Sequence, residues 1–103
     1  MTAIIITRSQ AFRRRPRSVY LLKIALIYKI GLSFDPASRV RAMQLPDRPD
    51  WVRVYESVRA EELEKVLHQR YKAKRKYGEW FELSEEEVED LDRFCKEWLS
   101  QEK

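Results

Sequence analysis

One cysteine, one histidine and two glycines are all that 103 residues hold of three residue types on which many enzyme sites are built. A lone Cys95 excludes an internal disulfide and a paired-cysteine zinc motif. Gly31 and Gly78 stand far apart, so there is no glycine-rich phosphate loop. No Ser-His-Asp arrangement is found. No apolar run approaches the ~20 residues of a bilayer span. Ile4-Ile5-Ile6 is too short for the apolar stretch of a signal peptide, and the basic run follows it instead of preceding it. The expectation is a soluble, cytoplasmic chain. Its length makes one modest domain with one core and no deep substrate cavity.

What is abundant is charge, and it is unevenly laid out. Residues 1–50 hold ten Lys/Arg against three Asp, and residues 51–78 hold eight basic against four acidic. Residues 79–103 reverse this, with three basic and ten acidic. The first two segments can attract a polyanion and the last cannot. A solvated surface of mixed charge is the bland alternative.

Residues 1–17 read as a basic arm ahead of a single domain at 18–103. Met1 to Thr7 fits a short edge strand. Arg13-Arg14-Arg15-Pro16-Arg17 is a cationic run broken by proline, which disfavours helix. It reads equally as a disordered tail and as a phosphate-binding arm, since guanidinium pairs with phosphate oxygens at two points.

Val19 to Ile24 and Ile27 to Leu32 are rich in strand formers and predict a hairpin turning near Ala25-Leu26. A two-residue loop sets Tyr20 and Lys29 diagonally on one sheet face. A loop one residue longer sets Tyr20 with Tyr28 instead. Asp35-Pro36 predicts a helix start, with Val40 and Met43 facing the core. Trp51 to Val58 predicts a third strand, with Val52, Val54 and Val58 on one face and Trp51 and Tyr55 on the other. Ala60 to about Lys74 predicts a helix whose Leu63, Val66, Leu67 and Arg70-Tyr71 follow a 3.6 period. Glu64, His68 and Tyr71 form an adjacent stripe. The cations Arg70, Lys72, Lys74, Arg75 and Lys76 near its end exceed what helix capping needs. Gly78 breaks the chain before an extended Glu79 to Leu83, where Trp80 and Phe81 read as core. Ser84 to Leu99 predicts a second strong helix, opened by a Ser84/Glu87 capping box and buried along Val88, Leu91, Cys95 and Trp98.

Five short blocks lie along this frame. Ser18-Val19-Tyr20 is followed by Tyr28-Lys29-Ile30-Gly31, then Asp35-Pro36-Ala37-Ser38-Arg39, then Leu63-Glu64 ahead of Leu67-His68, then Gly78-Glu79-Trp80-Phe81. In this order and spacing the chain resembles the GIY-YIG nuclease superfamily, in its small phage-type branch with a Lys-Ile-Gly second motif. The resemblance runs from about Ser18 to Leu83. Ser18 stands where many members have Gly, and Lys29 where many have Tyr.

The resemblance implies roles that the chemistry supports. Phosphodiester hydrolysis needs an activated water, a stabiliser of charge on the phosphoryl oxygens, and help for the leaving oxygen. By the resemblance, Glu64 holds a divalent cation, Mg²⁺ or Mn²⁺. One carboxylate is a thin anchor, so water and phosphate must complete the shell. Arg39, eight residues after Gly31, is the phosphate clamp. Tyr20 orients or deprotonates the water, with Lys29 lowering its pKa or sharing the proton transfer. Gly31 permits a close approach of backbone or substrate. His68, one turn from Glu64, reads as structural or as an orienting or secondary proton group. Glu79 stands where the superfamily closes its site with a polar residue, often Asn, and receives no role. Arg13, Arg14, Arg15, Arg17, Arg41, Arg70, Lys72, Lys74, Arg75 and Lys76 are expected to hold DNA backbone.

The expected fold is α/β: a small mixed, mainly antiparallel sheet of three to four strands flanked by three helices. The expected function is a metal-dependent DNA endonuclease of low intrinsic base preference, self-associating or borrowing specificity from a partner protein. A DNA-binding protein without turnover, and a protein-interaction module of phage or mobile-element type, are the alternatives.

Overall fold

The computed structural model describes residues 16–45 and 48–102. Strands β1 (Arg17–Ile24) and β2 (Ile27–Ser33) pair antiparallel, Ile24 opposite Ile27. The loop is therefore the two residues Ala25 and Leu26. Ala25 takes φ 55°, the left-handed value that such tight loops ask of glycine or asparagine. This register places Tyr20 opposite Gly31 and Leu22 opposite Lys29. Of the two loop lengths open to the sequence, the structure has the one that sets Tyr20 and Lys29 on a common face.

Asp35 caps helix α1 (Pro36–Ala42), its carboxylate accepting from the Ser38 N–H at 3.2 Å and the Ser38 hydroxyl at 2.8 Å. Those bonds hold the Asp35 carboxyl below its ordinary pKa. The seven-residue helix buries no side chain fully; Val40 and Met43, expected in the core, are half-buried.

Strand β3 (Asp50–Ser57) lies on the other side of β1. Leu21 is opposite Arg53 but Leu22 is opposite Trp51, so Val52 is an inserted residue, a β-bulge. The bulge overturns simple alternation. Val52 and Tyr55 share the core side, while Trp51 and Val54 stay on the face of Tyr20 and Leu22. The expected pairing of Val52 with Val54, and of Trp51 with Tyr55, is corrected by that one residue.

Helix α2 (Ala60–Arg70) stops four residues earlier than its periodicity predicts. A 3₁₀ turn at Lys72–Lys74 follows, and Arg75–Tyr77 forms strand β4. The Lys74 carbonyl accepts from Glu82 N–H at 2.8 Å, so the sheet claims backbone that the helix would have used. Gly78, at φ 53°, turns the chain into the two-residue strand β5 (Trp80–Phe81). Helix α3 (Glu85–Ser100) opens with the expected capping box. The sheet has five strands, in order β3-β1-β2-β5-β4, all antiparallel.

One face of this sheet is the core. Val19, Leu21, Tyr28, Ile30 and Phe81 meet Leu63, Leu67 and Tyr71, with Leu91 and Cys95 of α3. Val66, expected here, is instead 37% exposed. No described helix is long and apolar enough to cross a membrane.

Candidate active site at the open edge of β2

Strand β5 pairs with β2 only at Tyr28 and Lys29. One further bond, Ile30 N–H to the Glu79 carbonyl at 3.0 Å, ends the ladder. The edge of β2 beyond it is open, and α2 fills the gap. His68 Nε2 lies 2.9 Å from the Ile30 carbonyl oxygen. A carbonyl only accepts, so Nε2 carries the hydrogen. His68 thus pins α2 to the sheet, and the same helix carries Glu64 one turn earlier, its Oε2 4.0 Å from His68 Nε2.

From β2, Lys29 Nζ donates to Glu79 Oε1 at 2.7 Å and lies 5.7 Å from the centre of the Trp80 ring. Glu64, His68 and Glu79 offer ligand atoms within 4.8 Å of one another. Glu64 Oε2 is buried and has no hydrogen-bond partner among the described residues. Burial, and then the neighbouring Glu79 carboxylate, raise the Glu64 pKa; His68, Lys29 and Arg17 pull it back in part. A buried carboxylate oxygen left unpaired is costly unless something positive meets it.

Tyr20 completes the cluster from β1. Its ring lies across Gly31, where an added Cβ would overlap the phenol Cζ and Oη. That contact is why residue 31 has no side chain. Burial, and then the Glu79 charge, raise the Tyr20 pKa; the nearby Arg39 guanidinium of α1 lowers it in part, and the net shift is upward. The sequence reading gave Lys29 the task of lowering the Tyr20 pKa. The structure commits Lys29 to Glu79 and sets Arg39 against the phenol. Tyr20 as it stands keeps its proton at neutral pH.

Tyr20, Lys29, Arg39, Glu64 and His68 therefore come together from β1, β2, α1 and α2, joined by Glu79. Trp80, expected in the core, pairs with Lys29 and rises on the site face. Sequence reasoning set Glu79 at the edge of the site without a role, and it missed Trp80 here. The available signal was their position directly after Gly78, where the chain must double back on β2.

The expected DNA-binding cations fare unevenly. Arg13, Arg14 and Arg15 lie outside the described residues, as does the edge strand expected at Met1 to Thr7. Arg17 is not part of an arm; it opens β1, 3.4 Å from Glu61, its guanidinium over the Phe34 ring at 5.3 Å. Arg41 donates to the Ser38 hydroxyl at 3.0 Å. Arg70 grips Asp90 with two bonds of 3.1 Å and stacks on Phe94, so it fastens α2 to α3. Lys74 and Lys76 face Glu87 and Glu82 at 3.8 and 3.0 Å. Lys72 and Arg75 are exposed.

Compared with curated proteins and with solved structures, the chain finds no match. A family model does match, over residues 6–99, which takes in every strand among the described residues, their three helices save the last residue of α3, and every member of the cluster. The chain belongs to the T5orf172 domain family, a phage-associated family found in nuclease contexts.

Proposed function

We propose that the chain is a metal-dependent DNA endonuclease of GIY-YIG type. The observation that carries this reading is the convergence of a phenol, a guanidinium, an ammonium and a buried, unpaired carboxylate oxygen at one open sheet edge. The donor set fits a hard divalent cation such as Mg²⁺ or Mn²⁺. Glu64 Oε2 would be the principal ligand, with Glu79 close enough to contribute, while His68 spends its Nε2 hydrogen on the Ile30 carbonyl. Such an ion supplies neutralising charge for the phosphoryl and leaving oxygens.

The chain's own residues do the rest. Arg39 binds a non-bridging phosphoryl oxygen, and its charge is worth most as negative charge grows there. Tyr20, fixed between Gly31 and Arg39, orients the attacking water. Its pKa is raised partly by Glu79 and Glu64, so neutralising those carboxylates eases the phenol toward proton transfer. Lys29, an ammonium held by Glu79, contributes fixed positive charge to the site. His68 positions Glu64 by anchoring α2.

Supercoiled plasmid incubated with the protein and Mg²⁺ or Mn²⁺ tests this. The expected result is nicking or linearisation that falls about 100-fold or more in Arg39→Ala and Glu64→Ala, with circular dichroism unchanged. The protonated Tyr20 and the closed Lys29–Glu79 pair favour a second reading, DNA binding without turnover. Binding with no cleavage in either metal selects that reading.

A further inference from the structure

Tyr77, Trp80, Lys29, Leu22 and Trp51 form one unbroken register row across all five strands. Directly paired residues point to the same face, so the whole row rises on the side that carries Tyr20. Three of its five members are aromatic and one is a cation. The ends are open to solvent: Tyr77 is 63% exposed and Trp51 46%. The interior is not. Leu22 and Tyr20 are buried, so the row presents two separate aromatic shelves instead of one continuous surface.

Each shelf connects to the catalytic cluster. Trp51 meets the Tyr20 ring edge-on, centroids 6.0 Å apart. Tyr77 pairs with Trp80, whose ring lies beneath the Lys29 ammonium. Four strand spacings of about 4.8 Å put the shelves roughly 19 Å apart, one to each side of the cluster. Near them stand Lys29 and Arg39, while the acidic helix α3 covers the opposite face. Open aromatic rings interleaved with cations match a polyanion that carries flat apolar rings. In an intact duplex those rings are hidden by stacking; in an unpaired strand they are free.

We infer that this site takes DNA with unpaired nucleotides flanking the scissile phosphate, their bases stacked on Trp51 and on Tyr77. The inference rests on the nuclease reading for the placement of that phosphate. Stacking tolerates any base, which accords with a domain of little sequence preference. Trp51 and Tyr77 are substrate-positioning residues. Neither needs to touch the reacting atoms.

The test is fluorescence anisotropy with three labelled DNAs of one sequence: a single strand, a duplex with a central unpaired bubble, and the perfect duplex. The protein is Glu64→Ala, with chelator, so that nothing is cut. Bubble and single strand should bind about 10-fold or more tighter than duplex at equal salt. Trp51→Ala and Tyr77→Ala should each weaken bubble binding about 5- to 100-fold and leave duplex binding unchanged. Trp51→Phe and Tyr77→Phe, which keep a ring, should retain most of the preference and guard against a folding artefact. Equal affinity for bubble and duplex, or equal losses on both in the alanine variants, overturns the inference. That failure is separable from failure of the nuclease reading. Plasmid nicking by the native chain would survive the first, whereas an aromatic-dependent bubble preference without nicking would survive the second.

Discussion

The two faces of the sheet treat charge in opposite ways. On the core face every described tyrosine that reaches toward α3 ends on a carboxylate. The Tyr55 hydroxyl donates to Asp92 at 2.6 Å, and the Tyr71 hydroxyl donates to Asp90 at 2.6 Å. Arg53 and Lys96 complete Asp92, and Arg70 completes Asp90. At the open edge of β2, a carboxylate oxygen is buried with no hydrogen-bond partner among the described residues, and two acidic groups crowd together. One region spends its charges on holding helices to the sheet. The other keeps charge unsatisfied where a ligand can reach it. Strained electrostatics that survive in a well-paired domain mark the place where binding is to happen.

The contrast can be broken most forcefully at Gly31. In Gly31→Ala the new methyl overlaps the Tyr20 phenol, and the ring must leave its place. Overpacking of this kind costs about 1–3 kcal/mol. Displacing Tyr20 by about 1 Å should lower cleavage about 100-fold. Denaturant unfolding and the plasmid assay read the two effects separately.

A smaller effect is expected on the well-paired face. Tyr55→Phe removes a bond to a charged acceptor, worth about 1.5 kcal/mol at the low end because Lys96 and Arg53 still serve Asp92. The melting temperature should drop by roughly 6–12 °C. Cleavage should remain within about twofold, since additivity holds for distant sites.

The smallest effect has the opposite sign. The folded pKa of Glu64 is raised, so the folded state holds its proton more tightly than the unfolded chain does. Its ionisation therefore costs stability as pH rises through that window. Glu64→Gln should raise the melting temperature at pH 7 and abolish metal-dependent cleavage. The stability gain should disappear once the pH falls below the ordinary carboxyl range. Asp90 and Asp92 run the other way. Their folded pKa values are depressed, chiefly by the hydrogen bonds from Tyr71 and Tyr55. The stability they add above the ordinary carboxyl pKa is lost as acid protonates them. A melting series in pH for the native chain, Glu64→Gln and Tyr55→Phe should show the two slopes of opposite sign.

Much of this was legible in the sequence because its signals are local. The Asp35 cap, the Ser84/Glu87 box and the apolar period of Leu63, Leu67, Leu91 and Cys95 each lie within a few residues of one another. The convergence of Tyr20, Arg39 and Glu64 was expected only through the family resemblance that the short blocks carry. What escaped depends on pairing at a distance. A helical period runs on past Arg70 by inertia, and only the ladder to Glu82 explains why Arg75–Tyr77 becomes a strand. The Val52 bulge needs the register of β1 to be known. Nothing local says that Glu79 will reach Lys29, fifty residues away, or that Arg39 will take the place against the phenol.

Strand β5 is only two residues long, and that brevity has a cost and a use. Extend its ladder by one more pair, and a backbone amide would saturate the oxygen that the imidazole now holds. Helix α2 would lose its foothold, and the acidic group it presents would drift from the phenol. The geometry of the proposed site is thus kept by a sheet that stops short.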